Sequence, residues 1–258
     1  MKVNDHKPGA PSWADLASPD LAATRAFYTA LFGWTAHVAP QEEAGGDTIF
    51  NHDGVPAAAA GPLFHEGQPS AWTWYAATTD ADETARKVEA AGGKVLTAPF
   101  DVLDAGRMAT FLDTNGTPFS VWQAGTMRGA GIVDEPGAHS YTELMSRDPD
   151  AAAEFYGRVL GWTPKQNANP DKPYTEFQLD GRTVAGMLPM IGEAWPAELP
   201  DHWMVCFGVA DCDAAAERIG QLGGSVSVPP TEVPGHGRFA VAGDPTGAYF
   251  SVITMADW

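Results

Sequence analysis

Apolar and polar positions alternate in short runs along this chain, and amphipathic stretches interrupt them at intervals. SWADLAS (12–18) alternates with the two-residue period of a half-buried strand. After it, Ala23, Phe27 and Leu31 recur every fourth residue, which puts them on one face of a helix. Asp20 stands where it can accept from the free N–H groups at that helix's start, and Gly33 where it can end the helix in a left-handed conformation. WTWYAATT (72–79) predicts another strand, Asp82 a cap for a helix running to Ala91, and Gly92-Gly93 its end. KVLTAPF, RMATFL and PFSVWQA then predict three strands, parted by turn residues such as Asp113-Thr114-Asn115-Gly116. The resulting unit is β-α-β-β-β.

The pattern repeats. Residues 8–35 match 136–163 without a gap at an offset of 128, and 13 of these 28 positions are identical, including Asp20/Asp148, Phe27-Tyr28/Phe155-Tyr156 and Gly33-Trp34/Gly161-Trp162. Residues 72–123 match 203–254 at an offset of 131, with 17 of 52 identical, among them Asp80/Asp211, Gly106-Arg107/Gly237-Arg238, Asp113/Asp244 and Gly116/Gly247. Two long gapless matches in the same order indicate a duplicated domain. The expected division is 8–123, a linker at 124–135, and 136–258. An insertion is expected between the two matching blocks.

Composition narrows the function classes. The 15 Lys+Arg against 33 Asp+Glu give a formal net charge of −18, which repels polyanions and argues against nucleic acid and anionic membranes as partners. No apolar run is long enough to span a bilayer and the N-terminus lacks a secretory h-region, so a cytoplasmic location is expected. Cys206 and Cys212, the only cysteines, do not make a disulfide framework. The expected oligomeric state is monomer or homodimer.

Paired βαβββ modules with D-x₆-FY-x₄-GW after the first strand resemble the vicinal oxygen chelate superfamily, which includes glyoxalase I, extradiol dioxygenases and bleomycin-resistance proteins. DAGRMATFLDTNGTPFSVW and GHGRFAVAGDPTGAYFSV resemble its tandem glyoxalase-like branch, often labelled "hydroxylase" or "antigen". The resemblance implies an α+β fold in which four βαβββ modules form two glyoxalase-like domains with curved, cup-shaped mixed sheets. It also implies that the cup interiors are the sites. Metalloenzymes of this family carry His or Gln early in a first strand and Glu in a last strand; the matching positions here are Trp13, Tyr141, Trp74, Val205, Ser120 and Ser251. These are poor ligands for a divalent ion, and the seven histidines show no HxH, HxxxH or HExxH spacing. No metal and no cofactor are expected.

Strand alternation from those positions names a cup lining. Trp13 and Asp15, with Trp72, Trp74, Ser120 and Trp122, are expected inward in the first half. Tyr141, Glu143, Met145, Met187, Trp203, Phe207, Tyr249 and Ser251 are expected inward in the second. Arg107 and Arg238, one per half, are candidate partners of Asp15 and Glu143 in structural ion pairs. The expected function is a metal-free, glyoxalase-like protein that binds a small hydrophobic or aromatic ligand, cationic if the acidic surface sets the choice, for resistance, sequestration or assistance to a pathway. The alternative is an enzyme, lyase-, isomerase- or hydroxylase-like, with Asp15 or Glu143 as general base. A metal-dependent glyoxalase or dioxygenase and an interaction protein come after these. Because Trp74 aligns with Val205, Trp122 with Ile253 and Ala17 with Met145, the two cups are expected to differ in volume and chemistry.

Overall fold

The computed structural model describes residues 1–39, 47–169, 173–193, 195–233 and 235–256. Its first half runs β1 (Pro11–Ser18), α1 (Leu21–Phe32), β2 (Thr35–Val38), β3 (Thr48–His52), β4 (Val55–Pro62), β5 (Ala71–Thr78), α2 (Ala81–Ala90), β6 (Lys94–Val102), β7 (Gly106–Leu112) and β8 (Pro118–Ala124). The second half repeats this as β9 (His139–Ser146), α3 (Pro149–Leu160), β10 (Thr163–Gln166), β11 (Thr175–Leu179), β12 (Arg182–Pro189), β13 (His202–Gly208), α4 (Cys212–Gln221), β14 (Ser225–Val233), β15 (Gly237–Gly243) and β16 (Tyr249–Met255).

Each half builds its own eight-stranded mixed sheet, ordered β2-β3-β4-β1-β5-β8-β7-β6 and β10-β11-β12-β9-β13-β16-β15-β14. Within each sheet the modules join through an antiparallel pair of first strands, β1 with β5 and β9 with β13. The first module therefore pairs with the second, and the third with the fourth.

Local signals set the helix ends. Asp20 accepts from the N–H groups of Ala22 and Ala23, and Gly33 closes α1 at φ 70°. α2 is capped by Asp80, which accepts from Glu83 N, so the expected cap Asp82 lies within the first turn. Asp82 instead receives Arg107 at 3.1 Å, and its counterpart Asp213 receives Arg238 at 2.6 Å. The two arginines thus pair with helix-start acids on the surface, and not with Asp15 and Glu143 as the sequence suggested.

One apolar core spans both halves. It contains the helix faces of both sheets, from Leu16 and Trp72 to Leu144 and Phe250. Phe27 of α1 meets Phe250 of β16 edge-on at 6.1 Å, and Phe155 of α3 meets Phe119 of β8 at 5.8 Å. Trp34 Nε1 donates to Gly137 O and Trp162 Nε1 to Gly9 O, each at 2.7 Å. Helices of one half thus pack on the sheet of the other. The expected linker is held within this structure: Ala130 N donates to Ser12 O, Gly131 N to Pro56 O, and Ile132 is fully buried.

The insertion lies between β12 and β13. Residues 190–201 connect these strands, where residues 63–70 connect β4 and β5. Among the described residues, no helix is long and apolar enough to cross a membrane.

Candidate ligand-binding cups

Opposite the shared core, each sheet carries a smaller apolar cluster of its own. In the first half it comprises Trp13, Tyr75, Trp122 and Ala130, with Ile49, Met108 and Met127 packed around them. In the second half it comprises Met145, Met190 and Met204, with Trp195, Leu199 and Val241. Trp195 and Leu199 belong to the longer 190–201 connection, which therefore packs over the second cup. Arg147 holds that connection through bonds from its guanidinium to Pro196 O (2.5 Å) and Leu199 O (2.9 Å).

On β1 the alternation reads as expected: Trp13 belongs to the cup cluster and Leu16 to the shared core. Ser120 and Trp122 also face the cup, as do Tyr141, Glu143 and Met145, and Tyr249 and Ser251 share the concave side of β16. Tyr249 is half exposed at its rim.

β5 and β13 are a correction. Trp72 pairs with Leu16 and Trp74 with Ala14, so both tryptophans enter the shared core; Thr73 and Tyr75 face the cup. On β13, Trp203 pairs with Leu144 and Val205 with Thr142, so Trp203 and Phe207 also point to the core, leaving Met204 and Cys206 in the cup. Met187 of β12 pairs with Leu144 of β9 and is likewise a core residue. Since side chains alternate with period two, a phase taken one residue out turns every side chain of the strand to the other face. WTWYAAT is apolar on both faces, and such a strand offers no alternation from which to take the phase. Of the five tryptophans expected inward, Trp13 and Trp122 line a cup; Trp72, Trp74 and Trp203 join the halves.

Each cup holds a carboxyl against a phenol. Tyr75 donates its hydroxyl to Asp15 at 2.6 Å. Burial pushes the Asp15 carboxyl up to about 7, against the opposing pull of the Tyr75 hydrogen bond, and Asp47 adds repulsion. In the second cup Tyr174 approaches Glu143 at 2.7 Å and Tyr141 at 3.1 Å. Burial raises the Glu143 carboxyl, with the Tyr174 bond again opposing it. Cys206, opposite Tyr141 in the sheet, is a buried thiol pushed up to about 12, too high for a thiolate nucleophile at neutral pH. Sequence reasoning missed Tyr75 and Tyr174. Tyr75 sits in the misphased strand, and Tyr174 precedes β11 in a segment the repeat alignment does not reach.

The donor sets of the two cups bear on whether a divalent ion could bind there. In neither cup, among the described residues, do three His, Cys, Asp or Glu donors converge within 4.8 Å of one another. The carboxyls on these faces, Asp15 with Asp47 and Glu143 with Glu176, stand among phenols, hydroxyls and, in the second cup, a thiol of high pKa, and no such set closes on a divalent ion. A trio that does converge, His52, Asp53 and Glu135, lies outside both clusters, and the Met1 ammonium stands 2.7 Å from Glu135 there. Sequence spacing did not signal it, because its members come from distant segments.

Comparison with known proteins places these features in a family. The chain is 42% identical over 266 residues to "Anthracycline biosynthesis protein DauV" of Streptomyces sp. strain C5, covering 97% of this chain and 94% of that protein. The same identity and coverage hold for DnrV of Streptomyces peucetius, which bears the same description. Among solved structures, the 2,3-dioxygenase LapB of Pseudomonas sp. KL28 superposes with a TM-score of 0.66 at 14% identity, covering 96% of this chain and 94% of that one. An Mn(II)-bound glyoxalase of Novosphingobium aromaticivorans gives 0.66 at 17% identity, with 98% and 85% covered. At such identities the likeness is one of fold. The family model for the Glyoxalase/Bleomycin resistance protein/Dioxygenase superfamily matches residues 11–121 and 138–252, and the chain belongs to that superfamily.

Proposed function

We propose that this protein binds a planar, largely apolar small molecule in its cups without a metal ion, and that it serves the biosynthesis or sequestration of such a molecule or resistance to it. The observation that carries this reading is the composition of the concave faces. Each has aromatic or methionine walls around a carboxyl hydrogen-bonded to a tyrosine. Flat rings stack on such walls, and methionine adapts its shape to them. The description of two relatives as anthracycline biosynthesis proteins supports this reading, since an anthracycline is built on flat, fused rings.

Titration with 1,4-dihydroxyanthraquinone, followed by tryptophan fluorescence, tests it. Saturable quenching is expected, weakened by Trp13→Leu or Trp122→Leu and unchanged by prior treatment with a chelator. Unsaturable quenching, or binding abolished by the chelator, would overturn it.

A second reading is an enzyme that uses Asp15 as a general base, and the raised Asp15 carboxyl favours it. A base titrating near neutrality combines a populated ionised form with useful proton affinity. Turnover that rises through pH 7 and disappears in Asp15→Asn is the expected signature, and turnover unaffected by that change would exclude the role.

A further inference from the structure

The two cups build their carboxyl–phenol pairs from positions that duplication does not relate. Tyr75 lies on β5, and its counterpart in the second half is Cys206. Tyr174 immediately precedes β11, where the first half has Asp47 immediately before β3. The first cup therefore takes its phenol from one side of the carboxyl, and the second from the other.

One residue of β12 makes this possible. Gly186 pairs with Glu143, and the matching neighbour of Asp15 in the first sheet is Ala59. A methyl group at Gly186 would overlap the Tyr174 hydroxyl outright and stand 2.6 Å from the Tyr141 oxygen. Gly186 is thus the floor on which two phenol hydroxyls meet beside a carboxyl. Ala59 carries that methyl group, so a tyrosine entering the first cup along the same path would have no place for its hydroxyl.

The three groups do not use up their hydrogen-bonding capacity on one another. A phenol has one proton to give. With the Tyr174 proton on Glu143, Tyr141 donates to Tyr174 and its own oxygen still accepts. With the Tyr174 proton on Tyr141, the Tyr141 proton is free to donate. The cluster thus meets either a hydroxyl or a carbonyl, and it lies against the methionine wall of Met145 and Met204. An aromatic ring without oxygen would cover these groups and return nothing, which costs free energy in a buried site.

We propose that Tyr174, seated over Gly186, is a specificity-determining residue of the second cup and selects aromatic ligands that carry a hydroxyl or carbonyl on the edge facing Glu143. This rests on the reading of the cups as aromatic-ligand sites. The first cup, with Asp47 in place of Tyr174 and Trp13 in place of Tyr141, lacks the paired phenols, and its one tyrosine, Tyr75, already donates to Asp15.

The test compares two probes, 1,4-dihydroxyanthraquinone and oxygen-free anthracene, on the whole chain. Wild-type protein is expected to bind both and to prefer the oxygenated one. Tyr174→Phe keeps the ring and removes the hydroxyl; it is expected to weaken the dihydroxyanthraquinone roughly three- to tenfold at one site and not to weaken anthracene. Gly186→Ala, which displaces both hydroxyls, is expected to do the same, with thermal unfolding as the check on folding. Should Tyr174→Phe leave the ratio of the two affinities unaltered, the assignment of Tyr174 is overturned while the cups remain ligand sites. Should neither probe bind wild-type protein, the reading of the cups falls and the assignment falls with it.

Discussion

Tyr28 of the first half donates its hydroxyl to Asp244 of the second at 3.1 Å. The reciprocal bond, Tyr156 to Asp113, measures 3.0 Å. Each tyrosine also accepts an indole N–H, from Trp72 at 2.9 Å and from Trp203 at 2.8 Å. Each aspartate holds its own turn: Asp113 Oδ1 accepts from the N–H groups of Asn115 and Thr117, and Asp244 Oδ1 from those of Thr246 and Ala248. The residues most faithfully repeated in the sequence are thus a pair of buried clasps between the halves.

Tyr28→Phe and Tyr156→Phe are expected to destabilise the protein by about 2–3 kcal/mol each, because each orphans a buried indole N–H and a buried carboxyl oxygen together. Urea denaturation measures this. Losses below about 0.5 kcal/mol would mean that the clasps contribute little.

Trp74 has a different balance. Its indole N–H is buried with no hydrogen-bond partner among the described residues, while the ring stacks on Trp162 at 5.7 Å. Trp74→Phe relieves the unsatisfied donor as it shrinks the ring, so its destabilisation is expected to be smaller than that of Trp72→Phe, which breaks a bond. Both substitutions lie in the shared core, and ligand affinity is expected to be unchanged in either. An affinity loss matching that of Trp122→Leu would return Trp74 to the cup.

The Asp15 carboxyl lies at about 7 in the folded protein, above the ordinary carboxylate range it regains on unfolding. Between those values the folded state binds the extra proton, so this group's contribution to stability is full at low pH and is lost as pH rises toward 7. Asp15→Asn is expected to match the wild type near pH 4 and to exceed it at pH 8, by no more than about 4 kcal/mol. Thermal unfolding at the two pH values reads the difference.

His139 acts at the acid end. Burial brings this imidazole down to about 4, so the stability it contributes is present above pH 6.5 and is lost as pH falls toward 4. His139→Asn is expected to flatten the acid limb of the stability profile in that window. An acid limb of unchanged steepness would assign the loss to other groups.

Much of the fold was legible because duplication printed it twice. Helix stripes, Asp caps at 20 and 148 and the Asp113–Gly116 turn are local demands of the backbone, and local demands appear in local sequence. The phase of β5 and β13 was not legible, since both faces of these strands are apolar and only partner strands fix which face meets which layer. The cup carboxyls were readable from β1 and β9, where Leu16 and Leu144 mark the core side. Their phenols were not, because Tyr75 and Tyr174 meet Asp15 and Glu143 through register across the sheet.

The clasps have a consequence for descent. Tyr28 reaches Asp244, and Tyr156 reaches Asp113, so both tyrosine–aspartate bonds run from one repeat's helix to the other repeat's turn. A single ancestral repeat carried both ends of the clasp but joined neither to itself; two copies related by a twofold axis would have satisfied both. Fusion then freed each copy to change its pocket alone, since symmetry no longer forced a substitution to appear twice. Gly186, where the first half has Ala59, is a difference that two identical copies could not keep.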